Sequence, residues 1–508
     1  MFLDLAVRDF LDRAELVYPD RVGVVDEPRQ PAPSWGSVTY RDMARLARAQ
    51  AAGLDALGVP AGGRVAIVSQ NAARMLVSFF GVSGWGRVLV PINFRLTPGE
   101  VDYILRDSGT EVLLLDPELE HLGEATVAKH VLVLGRDDGA VFDEAREPVD
   151  RPTVESATAT LNYTSGTTAR PKGVQLTHRN LWINAVVFGL HLALTDDDVL
   201  LHTLPMFHAN GWGLPYALTG VGGRHVVLRK VDGGEILRRI DRHGVTVLCG
   251  APAVVSAVLD AAAHRDGPVP GWGRVRAVVA GAPPPTRLIE RMHEELGWEF
   301  IQIYGLTETS PLLTVNRMRE EWRGLDGPAR ARRLRRAGAP ALGVRLRIDD
   351  DGEVLARTNH NLEAYWGKPA ETAHAQAGGW FHTGDGGTLT DGYLTLSDRK
   401  KDVIISGGEN VSSIEVEDVL TAHPAVREAA VIGVPDETWG ELVTAIVVLE
   451  GGACSADDLV AHCRERLAGF KCPKRVEFTD ALPRTATGKV QKYVLREPFW
   501  RGREDRIS

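Results

Sequence analysis

Residues 64–116 read RVAIVSQNAARMLVSFFGVSGWGRVLVPINFRLTPGEVDYILRDSGTEVLLLD, and their periodicity decides the fold class. RVAIVS (64–69) is a short apolar β-type run, and AARMLVSFFGVSGW (72–85) has helical spacing. VLVPI (88–92) is a second strand, PGEVDYILRDSG (98–109) a helix stopped by glycine, and EVLLLD (111–116) a third strand. Strand, helix, strand, helix, strand implies a parallel sheet covered by helices. The class predicted is α/β.

Working outward, HRNLWINAVVFGLHL (178–192) predicts a helix. Three strands then run into polar or glycine-rich loops, at VLLHTLPMFHANGWGLP (199–215), VRAVVAGAPPP (275–285) and FIQIYGLTETSP (300–311). Open α/β sheets collect ligands at such strand ends. VRLRIDDDGEVLAR (344–357), with a turn at Asp351-Gly352, predicts a small β-rich subdomain. From about residue 398 the composition changes to a compact α+β unit, with helices over 414–424 and 454–469 and strands over 426–435, 441–450 and 475–480. Ser455 is the expected cap of the second of these helices. The predicted division is a large domain over 1–397, a charged hinge over 398–402 and a small mobile domain over 403–508. Five arginines, at 330, 332, 333, 335 and 336, read as solvated surface without an assigned role.

A chain of 508 residues is too long for one core, so two or three structural units are expected. The net charge of −9 gives no basic excess to favour nucleic acid as a partner. No apolar run is long enough for a stable membrane span, and residues 1–17 read as an amphipathic helix with acids at Asp4, Asp9 and Asp12, not as a secretion signal. The four cysteines, Cys249, Cys454, Cys463 and Cys472, lack CxxC spacing and suit reduced thiols in a cytoplasmic protein.

Between two apolar segments lies YTSGTTARPKG (163–173). Thr164, Ser165, Thr167 and Thr168 supply hydroxyls, Gly166 lets successive amides turn inward, and Lys172 adds a mobile charge, which together make either a phosphate cradle or a flexible polar loop. It is not a Walker A loop, because Pro171 precedes the lysine and Gly173 follows it. Only ten of the 58 basic residues are lysines, so Lys172 and Lys489, each beside a glycine, stand out as places where a compact ammonium is needed.

Five motifs occur in order: YTSGTTARPKG, YGLTE (304–308), HTGD (382–385), DRKKDVIISGGENV (398–411) and PRTATGKVQK (483–492). Through them the chain resembles the adenylate-forming superfamily of acyl-CoA synthetases, aryl-CoA ligases, amino-acid adenylation domains and luciferases, nearest to the fatty and medium-chain acyl-CoA synthetases. The resemblance covers essentially the whole length, with Ala169 standing where many members have glycine. It implies a ligase that turns a carboxylic acid and ATP into an acyl-adenylate and pyrophosphate, then passes the acyl group to a thiol, usually that of coenzyme A.

The resemblance also implies the site. Thr164, Ser165, Gly166, Thr167, Thr168 and Lys172 would hold the phosphates. Tyr304 and Gly305, with Gly281, Ala282 and Pro283 on the other side, would enclose adenine. Thr307 would touch phosphate, Glu308 would hold Mg²⁺, and Asp385 and Arg399 would hold the ribose. Lys489, the most specific assignment, would reach the α-phosphate and the acid carboxylate, and Lys401 would be the pivot of the hinge. Ser406, Gly407, Gly408, Lys471 and Lys474 would serve coenzyme A. His208, Ala209, Asn210, Gly211 and Trp212 would line the acid pocket, with His208 gating the path between acid and thiol. HANGWG carries no acidic residue, which favours a hydrophobic acid over an amino acid. The partners expected are a small-molecule carboxylic acid, ATP and coenzyme A, with a second copy of the chain as a candidate homodimer. The alternatives are a ligase that loads a carrier protein, a CoA ligase for a bulky or aryl acid, an oxidative luciferase, and a nonenzymatic nucleotide-binding protein.

Overall fold

The computed structural model describes residues 3–124, 126–164, 170–399, 402–436, 438–451, 454–485 and 488–501. Two large sheets dominate the first 340 residues. In one, the strands Arg64–Val68, Val88–Ile92 and Val112–Leu115 pair in parallel, as the 64–116 pattern predicts, with Val88–Ile92 and Val112–Leu115 on either side of Arg64–Val68. Thr158–Thr164 extends this sheet in parallel, and Lys172–Thr177 turns back antiparallel to it. In the other, six parallel strands from Glu299–Tyr304 to Val22–Val25 are edged by antiparallel strands on both sides.

The helices begin and end where their sequences allow. Pro98–Ser108 opens on a Thr97/Glu100 capping box and closes on left-handed Gly109, and Ala456–Arg464 opens on the expected Ser455 cap. The helix Ala73–Gly81 is buried throughout, with Arg74 paired to Asp138 and Ser78 bonded to the Arg74 carbonyl, and its apolar side chains lie within one cluster that takes side chains from both sheets, Ile67 and Leu89 from one and Val24 and Val227 from the other. Tyr216 stands at its centre, with ring centroids of Phe79 and Phe80 at 5.7 and 5.6 Å.

Asn71, just beyond the strand Arg64–Val68, joins the sheets by hydrogen bonds. Its amide nitrogen donates to the carbonyls of His202, Leu204 and Leu228 at 2.9, 3.0 and 3.1 Å, and its oxygen accepts from Met206 N at 2.8 Å. A buried side chain that uses this many of its hydrogen-bonding positions fixes the loop it holds. That loop leads directly to His208.

A four-stranded antiparallel sheet, Arg345–Ile348, Glu353–Arg357, Phe381–Thr390 and Tyr393–Arg399, forms the β-rich subdomain. Beyond it, a mainly antiparallel sheet centred on Gly440–Leu449 and Val426–Asp436 buries its own apolar cluster under the helices Ser413–Thr421 and Ala456–Arg464. Cys249, Cys463 and Cys472 are buried and Cys454 is half-buried, all as free thiols. Among the described residues no helix is long and apolar enough to cross a membrane.

Candidate active site

One cavity of about 1630 Å³ opens between the strand ends of the large sheets, the β-rich subdomain and the C-terminal unit. Each contributes side chains for a reason visible in its own segment.

The phosphate-loop candidate hangs from a pinned neck. Thr164 and Lys172 are register partners at the ends of Thr158–Thr164 and Lys172–Thr177. The Tyr163 hydroxyl donates to Asp107 Oδ2 at 2.7 Å, and the Tyr103 hydroxyl donates to the Pro171 carbonyl at 3.2 Å. Ser165, Gly166, Thr167 and Thr168 lie outside the described residues. Thr164 and Lys172 line the cavity, and Lys172 Nζ stands 5.1 Å from the centroid of the Tyr365 ring. The hydroxyl of that tyrosine donates to Glu308 Oε1 at 2.9 Å. Burial and the Glu308 charge both raise the phenol well above its ordinary range, so it stays protonated and donating. Glu308 shares the cavity with the hydroxyl residues Thr164 and Thr307, a set of hard oxygen donors that fits Mg²⁺.

Tyr304 also lines the cavity, where it ends the strand Glu299–Tyr304 and donates its hydroxyl to Asp385 Oδ2 at 2.9 Å. Asp385 is held in turn, since its backbone N–H donates to Thr383 Oγ1 at 3.1 Å and Glu353 Oε1 accepts from Gly384 N at 2.8 Å. Gly305 has no alternative, because a Cβ there would lie 1.6 Å from the Pro311 carbonyl oxygen. Arg399 faces Asp385 in the strand register, but its side chain lies outside the described residues, as does Lys401 entirely.

The C-terminal unit reaches the cavity through Lys489. Its backbone N–H donates to Thr485 Oγ1 at 3.1 Å, and a Cβ on left-handed Gly281 (φ +93°) would lie 3.5 Å from the lysine Cε. Ala282 and Pro283 line the same side.

His208 lines the cavity with Ala209 and Trp212. It is half-buried, and burial together with the nearby Lys489 charge pulls its imidazole down to about 4, so the ring is neutral at neutral pH. From Ala209 to Gly213 the backbone is left-handed at five consecutive residues, with φ of +36° at Ala209, +46° at Asn210 and +63° at Trp212. L-residues resist this conformation by roughly 1–2 kcal/mol each, so the turn must be held from outside. The Asn210 amide donates to the Tyr216 hydroxyl at 3.0 Å, and the Asn184 amide donates to the Trp212 carbonyl at 3.4 Å. Asn210 and Gly211 thus serve the turn and do not line the cavity.

The residues expected to serve coenzyme A stand elsewhere in this conformation. Gly407 and Gly408, with φ of +62° and +84°, form the two-residue turn between Ile404–Ser406 and Glu409–Val411, and Ser406 is buried. Lys471 pairs with Glu415 at 2.7 Å, and Lys474 Nζ lies 5.6 Å from the centre of the Trp439 ring. None of the five lines the cavity.

Three residues escaped sequence reading. Tyr365 and Asn71 act across long sequence separations with no local motif. Gln302 is 4% exposed on the cavity, and its Oε1 has no hydrogen-bond partner among the described residues. It lies two residues before Tyr304 on one strand.

The family model described as AMP-binding enzyme matches residues 11–366, and that described as AMP-binding enzyme C-terminal domain matches residues 415–489. The chain belongs to the AMP-binding enzymes. The 2-methylpropanoate–CoA ligase of Humulus lupulus is 36% identical to this family member, across 96% of this chain and 94% of the relative. A 4-hydroxybutyrate–CoA ligase of Metallosphaera sedula is 37% identical, across 96% and 93%. The solved structure of an anthranilate CoA ligase with anthranoyl-AMP superposes with a TM-score of 0.87 at 27% identity, covering 98% of both chains. This AMP-binding enzyme is an acyl- or aryl-CoA ligase of the AMP-forming kind, using ATP and coenzyme A.

Proposed function

We propose that this ligase activates a small hydrophobic carboxylic acid, a short branched aliphatic or single-ring acid, and releases it as the CoA thioester. The acid carboxylate attacks the α-phosphate of ATP, forming the acyl-adenylate and expelling pyrophosphate. The coenzyme A thiol then attacks the acyl carbonyl, and AMP leaves with the electrons of the broken mixed-anhydride bond. One observation carries the reading: Lys172, Tyr304, Asp385, Lys489 and His208, from separate parts of the chain, line one cavity.

In this reading Thr164 and Lys172 grip the leaving pyrophosphate, and Ser165, Gly166, Thr167 and Thr168 complete the loop. Thr307 touches phosphate. Tyr304, Gly305, Gly281, Ala282 and Pro283 enclose the adenine, Gln302 Oε1 accepts from its amino group, and Asp385 with Arg399 holds the ribose. Lys489 stabilises the charge that builds between carboxylate and α-phosphate, which is where catalysis of such transfers concentrates. Glu308 would hold Mg²⁺, which neutralises phosphate charge when bound. Neutral His208 and apolar Trp212 and Ala209 favour an uncharged acyl body. The small size of the acid is supported by the names of the relatives, which act on 2-methylpropanoate, 4-hydroxybutyrate and anthranilate.

The proposed domains are 1–397 and 403–508, joined by a hinge over 398–402 with Lys401 as pivot. Turning about it would bring Ser406, Gly407 and Gly408, with Lys471 and Lys474, to the coenzyme A path after adenylation. Four free thiols suit a reducing, cytoplasmic setting.

The test is acid-dependent pyrophosphate release from ATP and Mg²⁺ over straight, branched and aromatic acids, followed by thioester formation with coenzyme A or a carrier protein. The largest kcat/KM is expected for branched or single-ring acids of low mass, with coenzyme A as acceptor. An optimum at long-chain acids would overturn the acid assignment, and transfer only to a carrier would overturn the acceptor.

A further inference from the structure

We propose that Asp418, clasped by Arg335 and Thr286, is the positioning residue that sets Lys489 for the adenylation step. The inference rests on the role given to Lys489 above.

Asp418 lies on the helix Ser413–Thr421 of the C-terminal unit, and its carboxylate faces the large unit at two points. Thr286 donates to Asp418 Oδ1 from both its backbone N–H and its hydroxyl, at 3.1 Å each. Arg335 Nε stands 3.3 Å from the same oxygen without the alignment of a hydrogen bond, so that contact is an ion pair, while Arg335 also donates from its guanidinium to the Ile414 carbonyl at 3.3 Å. Both side chains are 24% exposed, enough shelter for the pair to count and enough water for it to part. Beside them Arg287 donates to the carbonyls of His423 and Pro424 at 3.2 and 3.4 Å, just past the end of that helix, where a positive charge is favoured.

The clasp is coupled to the site by chain geometry. Thr286 begins the helix Thr286–Arg291 and follows Gly281-Ala282-Pro283-Pro284-Pro285, the segment against which Lys489 lies. Three consecutive prolines fix φ and make the spacer between Thr286 and Gly281 stiff. The large unit therefore grips the C-terminal unit at Asp418 and receives Lys489 five residues away along one rigid segment. Arg335 belongs to the arginine cluster that reads in sequence as plain surface, yet it is the member that crosses to the other unit. The interface is polar, as suits a contact made in one half-reaction and released in the other.

The two half-reactions are measured apart: acid-dependent pyrophosphate release, and thioester formation from supplied acyl-adenylate and coenzyme A. Asp418→Ala and Arg335→Ala are each expected to slow pyrophosphate release about tenfold or more while leaving the second step within about twofold. The exchanged pair, Arg335→Asp with Asp418→Arg, should recover part of the first step. Lys489→Ala serves as the control. If it fails to separate the two steps, the role of Lys489 is wrong. If Lys489→Ala separates them and the Asp418 and Arg335 variants slow both equally or neither, the clasp is structural only and the inference falls. Circular dichroism melting of each variant identifies one that has simply lost its fold, and the charge-exchanged pair then decides.

Discussion

The Tyr365 hydroxyl donates a 2.9 Å hydrogen bond to Glu308 while its ring lies beneath Lys172, so one side chain bears on the candidate metal ligand and the candidate phosphate cation together. Tyr365→Phe removes the donor and keeps the ring. A hydrogen bond to a carboxylate contributes roughly 1.5–3 kcal/mol, so the Mg²⁺ concentration for half-maximal pyrophosphate release should change about tenfold with little change in KM for the acid. Tyr365→Ala should in addition weaken ATP binding, measured by calorimetry with a non-hydrolysable analogue. A Phe variant with the wild-type Mg²⁺ profile would remove Glu308 orientation from the tyrosine's duties.

Asn71→Ala deprives three carbonyls and one N–H of their shared partner in the interior between the sheets. Leaving such groups unpaired costs about 1–3 kcal/mol each before relaxation, so chemical denaturation should show a loss of a few kcal/mol. Because Asn71 holds the approach to His208, KM for the acid should rise more than KM for ATP.

Gly305→Ala cannot be accommodated by a side-chain shift, since the obstructing atom is the Pro311 carbonyl oxygen. Displacing that backbone moves Tyr304 and Thr307 together. We expect activity to fall by at least about a hundredfold with adenosine-nucleotide affinity lost in parallel, read by equilibrium dialysis.

Acid should destabilise this protein through its buried imidazoles. Burial lowers His178 and His360 to about 4 and His202 to about 3, against an ordinary value of 6.5. His202 Nε2 and His225 Nδ1 lie 3.0 Å apart, and burial together with the neighbouring His202 ring lowers His225 as well. Below pH 6.5 the unfolded chain binds protons that these folded rings refuse. Stability is therefore complete above about pH 6.5 and declines as pH falls towards 4, by about 1.4 kcal/mol per pH unit for each such ring. His202→Gln with His225→Asn should flatten the slope of unfolding free energy between pH 6 and 4, and an unchanged slope would assign the decline to carboxylates.

Much of this architecture is legible locally. The strand and helix alternation of 64–116, the Ser455 cap and the turn at Asp351-Gly352 follow from periodicity and turn chemistry within a few residues, and the fold bears them out. What the sequence hides is of two kinds. Asn71, Tyr365 and Asp418 gain their meaning from hydrogen-bond partners 57 to 157 residues away, and no spacing rule reaches that far. The left-handed path of Ala209, Asn210 and Trp212 contradicts their own preferences, so it can be read only from what restrains it.

That restraint makes the wall beside His208 a loaded spring. Its conformation is stored in the grip of Asn184 and Tyr216, neither of which lines the cavity, and relaxing either would let the segment rewind and redraw the proposed acid chamber without altering a residue that lines it. A change of substrate in this scaffold can thus originate behind the wall, at Asn184, sooner than on its face.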